Sequence, residues 1–349
     1  MGIRQSQLTL RGALADLMRK LHPGGSRTAD AFLPVLDVWR PRDGAPTHLL
    51  RWMITQWCNY DCPYCPQTHD RHAPKGEGKT AHAFDNYPLE QWLEAFDRHF
   101  TGKRLSLVIT GGESMIDRKA MVPLLNTLSA RDNTDSIRID TNAWWKPEQY
   151  ADLDRSKIIL MCTFHPSQVT EEKFFERIEA ILAAGFRIGM VNYVMNADNL
   201  PRYEHYRERM ARLGVPLHPN PLWGEGGEYA PADLELLRAS LPALDFDYRT
   251  GLVSPKDKAC LFPSLAWEMD FRGDIHVGCH KGRRGSFFDD SLPALFGGPT
   301  PCPAMKCACL DKYSFIEGSV RNTGTNPLAV YGDMLREREQ VLQQKFQKV

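Results

Sequence analysis

The chain has 349 residues, 42% of them hydrophobic and 25% charged, and its 43 Lys+Arg balance 43 Asp+Glu to a formal net charge of zero. That length can bury a sizeable apolar core, so no metal is needed merely to fold it. A zero balance supplies no whole-molecule field to gather nucleic acid or an anionic membrane, which makes both poor candidates for partners.

No apolar run approaches the length of a bilayer span, and the opening "MGIRQSQLTLRGALADLMRKL" lacks the uninterrupted apolar core of a signal peptide. The expectation is a cytoplasmic, reduced protein. Met1-Gly2 with Ser6 fits only the loose myristoylation pattern, which chance explains.

In chain order, residues 1–47 read as a helix over about 8–21 followed by a Gly/Pro-punctuated connector. From residue 48 short apolar strands alternate with amphipathic helices. "HLLRWMIT" is the first strand, "RLSLVIT" the second, "DSIRIDT" the third, "KIILMCTF" the fourth, "RIGMVNYVM" the fifth and "VPLHPNP" the sixth. Helices fall within "PLEQWLEAFDRHF" and at about 117–130, 170–184 and 200–213, the third of these capped by Thr170 with Glu171 and Glu172 in its first turn. Six such units predict an α/β fold with parallel strands in an open or partial barrel, its ligands beyond the carboxyl ends of the strands. The polar loop "HDRHAPKGEGKTAH" at 69–82 reads equally as a mobile lid or a solvated connector. After about residue 250 the periodicity weakens; a short hairpin turning at Gly273 and Asp274 lies in a Cys-rich segment, and "PLAVYGDMLREREQVLQQKFQ" reads as a terminal helix.

Nine cysteines, an odd number, exclude complete internal disulfide pairing, and in a reducing compartment clustered cysteines bind metal or do chemistry. Cys58, Cys62 and Cys65 follow the first strand with C-x3-C-x2-C spacing. One loop with that spacing can turn three thiolates onto one compact object. Structural zinc wants a fourth ligand, and only His69 and His72 are near; an iron–sulfur cube held by three thiolates keeps one iron open to a small molecule.

"CNYDCPYC" resembles the C-x3-C-x-aromatic-C motif of the radical S-adenosylmethionine (SAM) enzymes, and "ITGGES" after the second strand is similar to the Gly-Gly-Glu that family carries there. The resemblance spans about residues 48–222 and implies a partial (β/α)6 barrel. It implies that Cys58, Cys62 and Cys65 hold the catalytic four-iron, four-sulfur cluster, and that Tyr64 helps to hold the adenine of SAM. Gly111 and Gly112 permit positive φ and a close backbone approach, and Glu113 offers a carboxylate to the methionine ammonium. "IDTNA" departs from a Thr-Asn-Gly at Ala143 but keeps Thr141 and Asn142 as site-facing polar residues. His165 and Ser167 in "CTFHPS", and Asn192 on the fifth strand, are further cofactor-binding candidates. His218 and Asn220 are weaker ones, and Cys162 reads as a buried small hydrophobe.

Cys260, Cys279, Cys302, Cys307 and Cys309 form a second group, with the hairpin between the first two. That arrangement resembles the Twitch or SPASM extensions, which carry auxiliary four-iron, four-sulfur clusters. Five thiols suffice for one cube with a spare, which favours the shorter Twitch type, while a zinc site from the same thiolates stays open. The expected organisation is therefore 1–47 helix and connector, 48–222 barrel, 223–325 auxiliary-cluster segment and 326–349 terminal helix.

The resemblance implies reductive cleavage of SAM to a 5′-deoxyadenosyl radical, fed by an external one-electron donor such as flavodoxin or ferredoxin. The favoured substrate is a small polar metabolite of the sugar, nucleoside or aminocyclitol type, undergoing dehydrogenation, epimerisation or decarboxylation. Maturation of a ribosomal peptide is the rival, disfavoured because about 47 residues are short for a leader-binding domain. A non-catalytic iron–sulfur or zinc redox protein is the third reading, and the Gly-Gly-Glu speaks against it.

Overall fold

The computed structural model describes residues 47–65, 82–222, 229–240, 253–260, 262–277, 280–290, 292 and 300–307. The N-terminal helix, the loop expected at 69–82 apart from His82, Cys279, Cys309 and the terminal helix lie outside the described residues.

Six parallel strands carry the fold: β1 (Thr47–Thr55), β2 (Arg104–Gly111), β3 (Thr134–Thr141), β4 (Ile158–Phe164), β5 (Ile188–Met195) and β6 (Leu217–Pro221). Between them run α1 (Ala83–Asn86), α2 (Leu89–Phe100), α3 (Arg118–Ala130), α4 (Glu171–Ala183) and α5 (Tyr203–Arg212). In α2 the buried positions Trp92, Ala95, Phe96, His99 and Phe100 recur at helical spacing and form one stripe. Thr170 caps α4, its side chain accepting from Lys173 N at 3.5 Å, and Glu171 in the first turn is bridged by Arg202, His205 and Arg209 from the next helical unit. The helix expected over 200–213 opens instead as a 3₁₀ turn, Leu200–Arg202, before α5. Pro201 supplies no amide there, which a helix start tolerates.

The two faces of the sheet differ. Leu50, Trp52 and Ile54 are fully buried on the side that meets the helices, where Trp52 packs 4.5 Å from Trp92 and 5.8 Å from Phe96. Phe164 likewise stacks 4.4 Å from Phe174 of α4. The alternate residues point the other way. Arg51, Met53, Thr110, Asp140 and Thr163 lie on that inner face and are only half-buried.

Helix α6 (Pro231–Ser240) and the strands β7 (Ala259–Cys260), β8 (Ala266–Met269), β9 (Asp274–Val277), β10 (His280–Ser286) and β11 (Thr300–Pro301) follow, with the single turn α7 (Phe262–Leu265) ahead of β8. The hairpin turns at Gly273, where φ is +79°, as expected of its glycine. It does not stand apart from the barrel. Strand β8 pairs in parallel with β1, giving one nine-stranded sheet in the order β10-β9-β8-β1-β2-β3-β4-β5-β6. An exposed β1 edge would present a row of unpaired amides and carbonyls, and the hairpin covers it.

Strands β7 and β11 form a separate two-stranded ladder with Cys260 opposite Thr300. Cys260, Cys302 and Phe262 pack with Leu49, Val108 and Ala266 from the inner face of β1, β2 and β8. Among the described residues no helix is long and apolar enough to cross a membrane.

Candidate active site

The loop after β1 carries the three cysteines, and the end of β2 is laid against its root. Gly112 N donates to Thr55 O at 2.8 Å and Glu113 N donates to Trp57 O at 2.6 Å. A Cβ on Gly111 would sit 2.3 Å from Thr55 O, and one on Gly112 would sit 2.0 Å from Trp57 O. Neither contact is sterically possible, so both glycines are required by close approach to the cysteine loop. Gly111 takes a positive φ of 159°, which its glycine permits, while Gly112 has no positive φ.

Cys62 is buried while Cys58 and Cys65 are partly exposed. A turn closes between them, Cys65 N donating to Cys62 O at 3.0 Å. Burial pushes the Cys62 thiol up to about 11, with the neighbouring thiols adding to the shift. Such a thiol ionises only beside a strong positive charge, which a bound metal centre provides. Tyr60 N donates to Cys58 Sγ at 3.4 Å, and Asn142 Nδ2 reaches the same sulfur at 3.7 Å and Asn59 Oδ1 at 2.9 Å. Three soft sulfur donors on one loop, with amide N–H groups aimed at one of them, suit iron–sulfur ligation. Among the described residues no three His, Cys, Asp or Glu side chains stand close enough to bind a single metal ion.

Contacts that sequence reasoning missed hold this loop from the far side. Gln168 grips the Asp61 peptide at both ends, its Oε1 accepting from Asp61 N at 3.1 Å and its Nε2 donating to Asp61 O at 3.2 Å. Arg177 of α4 donates to the Tyr60 hydroxyl at 3.1 Å.

Glu113 is buried and joins the ends of β2 and β3. Its Oε1 accepts from the Thr141 hydroxyl at 2.6 Å and from Met115 N at 3.0 Å, while Oε2 accepts from Asn142 N at 2.6 Å. Burial raises its pKa, and these three hydrogen bonds work against the rise. A carboxylate has about four acceptor positions, so one on Oε2 remains for a further donor. Ala143, in the place of the family's glycine, adopts φ 58°, the left-handed conformation that glycine takes without cost.

At the end of β4, His165 approaches the cysteine loop. Its Nδ1 lies 2.8 Å from the Tyr64 hydroxyl and 3.5 Å from Cys62 Sγ, and its ring stacks on Tyr64 with centroids 6.0 Å apart and planes 15° off parallel. Desolvation pushes His165 down to about 4, so the ring is neutral at physiological pH. Ser167 is exposed beside Tyr64. Asn192 lies on the inner face of β5, beside Thr163 and in register with His218; its Oδ1 is buried with no hydrogen-bond partner among the described residues. Asn220 is one row farther along β6. Cys162 is fully buried in the main core and its thiol is shifted upward by burial.

Of the second cysteine group, Cys260, Cys302 and Cys307 are described and buried. Cys302 N donates to Lys258 O at 2.8 Å, which continues the ladder past Thr300 and leaves Cys260 and Cys302 on one face of it.

The loop cysteines, Tyr64, Glu113, Thr141, Asn142 and His165 are thus gathered at the carboxyl ends of β1 to β4. Residues 52–210, from β1 to α5, match the family described as the Radical SAM superfamily. This segment, under half of the chain, is similar to the radical SAM domain. Members of that superfamily use a four-iron, four-sulfur cluster, SAM and an external electron donor. A GTP 3′,8-cyclase from Shewanella denitrificans is 26% identical over 182 residues, covering 48% of this chain and 51% of the relative. The chain thus spans about half the length of this curated relative. The matched segment contains every one of the gathered residues, on a mostly parallel α/β sheet.

Proposed function

We propose that Cys58, Cys62 and Cys65 hold the four-iron cluster and that Glu113, Tyr64 and His165 hold SAM beside it, to act on a small polar metabolite. The observation that carries this reading is the convergence of the cysteine loop, the Glu113 carboxylate and the His165 ring from four separate strand ends. When bound, the cluster and SAM together supply a carbon radical able to take hydrogen from an unactivated C–H bond.

The rest is done by the chain. Glu113, fixed by Thr141 and Asn142, turns its remaining acceptor position toward an ammonium. Tyr64 and His165 present stacked rings suited to a purine, with Ser167 at their edge. Asn192 offers a buried acceptor for a ribose or substrate hydroxyl. Gly111 and Gly112 let the β2 end and the cysteine loop lie against each other, which fixes the distance from cluster to carboxylate.

The substrate class is a sugar, nucleoside or aminocyclitol, with outcomes of dehydrogenation, epimerisation or decarboxylation. The name of the Shewanella relative, a GTP 3′,8-cyclase, supports adding a guanosine nucleotide to these candidates. Cys260 and Cys302, with Cys307, Cys279 or Cys309, hold an auxiliary cluster of the Twitch type. Their packing against the inner face of β1 and β2 supports a place on the substrate side of the sheet. The 223–325 segment is then a functional unit of its own, although its hairpin shares the barrel's sheet. Flavodoxin or ferredoxin serves as the donor.

Anaerobic reconstitution tests this reading. The full chain should bind about eight irons, two four-iron cubes, and the Cys58→Ala/Cys62→Ala/Cys65→Ala variant about four. A triple variant holding one zinc and no iron would turn the second group into a structural site.

A further inference from the structure

We infer that the Asn142 side chain raises the reduction potential of the cluster on the loop after β1 by donating a hydrogen bond to the sulfur of Cys58, an inference that rests on the proposed function, in which Cys58 is a cluster ligand. Asn142 directly follows β3 and is 4% exposed. It is held from two sides. Its backbone N donates to Glu113 Oε2 at 2.6 Å, and its Oδ1 accepts from Trp144 N at 3.0 Å across the left-handed Ala143. With the oxygen turned to Trp144, the amide nitrogen must face the other way. Its two hydrogens reach the cysteine loop, one directed at Asn59 Oδ1, 2.9 Å from Nδ2, and one at Cys58 Sγ, 3.7 Å away.

A turn-forming role accounts for only half of this residue. The turn to Trp144 uses Oδ1 alone, and an aspartate would make it equally well. What distinguishes an asparagine is its pair of donors, and both go to the cysteine loop. Asn59 is exposed, so water would satisfy its oxygen without help from a buried amide. The sulfur is a different acceptor. Tyr60 N also donates to it, at 3.4 Å, but that donor belongs to the loop itself, whereas Asn142 brings one from the end of another strand, 84 positions along the chain.

A thiolate ligand shares the charge of the cluster it holds, and reduction by one electron adds negative charge to both. A donor aimed at the sulfur therefore favours the reduced state over the oxidised one and raises the potential; hydrogen bonds to the sulfurs are among the levers that set such potentials. Burial of the amide keeps water from weakening the bond. Asn142 is thus a positioned donor, fixed by Glu113 on one side and presented to Cys58 on the other.

Redox titration of the anaerobically reconstituted full chain, followed by electron paramagnetic resonance, tests this. The signal to follow is the one absent from the Cys58→Ala/Cys62→Ala/Cys65→Ala variant. Asn142→Ala should lower its midpoint by up to about 59 mV, the one-electron equivalent of a tenfold change. Asn142→Asp keeps the acceptor for Trp144 N and exchanges the donors for a second acceptor, so it should lower the midpoint at least as far. Gln168→Ala loosens the same loop at Asp61 without touching a donor to Cys58, and should leave the midpoint at the wild-type value. A midpoint unchanged or raised in both Asn142 variants, or an equal fall in Gln168→Ala, overturns the inference. Loss of the signal from both Asn142 variants overturns it too, by making Asn142 a strut for the loop. A wild type without the signal contradicts the proposed function and this inference with it; 5′-deoxyadenosine formation by the wild type, assayed alongside, reads the proposed function separately.

Discussion

Glu113→Gln is the most informative single change, because the carboxylate clamps two strand ends and, in the proposed function, also receives the SAM ammonium. The amide keeps one oxygen toward the Thr141 hydroxyl and Met115 N, but it turns an NH₂ group toward Asn142 N, so two donors meet where a charge-assisted bond stood. A buried donor left unpaired costs about 1–3 kcal/mol. Burial already raises the carboxyl's pKa, so removing the charge recovers part of that cost. The net loss is about 1–2 kcal/mol, which lowers the melting temperature of a domain of this size by roughly 2–8 °C. SAM affinity should fall roughly 10–150-fold, the worth of a lost hydrogen bond to a charged group of about 1.5–3 kcal/mol. Calorimetric melting of the metal-free protein and SAM titration of the reconstituted one read the two effects independently. A variant that melts with the wild type and binds SAM as tightly would refute both roles.

Three further outcomes are expected. Trp52→Ala removes the ring that packs on Trp92 and Phe96 of α2 and should cost about 3–5 kcal/mol in urea denaturation, since the site cannot collapse around so large a void. Burial holds His99 below its ordinary value of 6.5, with Nε2 donating to Phe287 O at 2.7 Å, so acidification from that value downward protonates the unfolded chain first. Stability is then intact above 6.5 and falls below it, by at most about 1.4 kcal/mol per pH unit for this group; the urea midpoint of His99→Gln should fall less between pH 7 and 5.5 than that of the wild type. Ala143→Gly relieves a left-handed residue worth about 1–2 kcal/mol but loses a buried methyl and a stiffer chain of similar total worth, so melting should show a net change within about 1 kcal/mol.

The strands and helices were legible because each buries one face. Trp92, Ala95, Phe96, His99 and Phe100 announce α2 by spacing alone, and the six strand patterns end within two residues of the observed bounds. The cysteine loop and the Gly-Gly-Glu were legible because their spacing is local. What stayed hidden depends on partners far along the chain. Gln168 bonds Asp61 across 107 positions, and no periodicity relates them. The close backbone approach at Gly111 and Gly112 was expected, but its partners, the carbonyls of Thr55 and Trp57, were not. The pairing of β8 with β1 joins segments separated by the whole barrel, and with it the alignment of Glu268 with Arg51. One local signal for that inner face was nevertheless present: Arg51, Arg138 and Glu268 each interrupt an otherwise apolar strand centre, where a charge needs a reason.

The central claim, that the loop after β1 powers SAM chemistry, meets its most direct test in the yield of 5′-deoxyadenosine. Anaerobically reconstituted protein, given SAM and a strong one-electron reductant, should release it, and Cys58→Ala, Cys62→Ala and Cys65→Ala should each abolish it while iron at the second cysteine group persists. Release at the wild-type rate by any of the three variants, or none by the fully loaded wild type, would contradict the account.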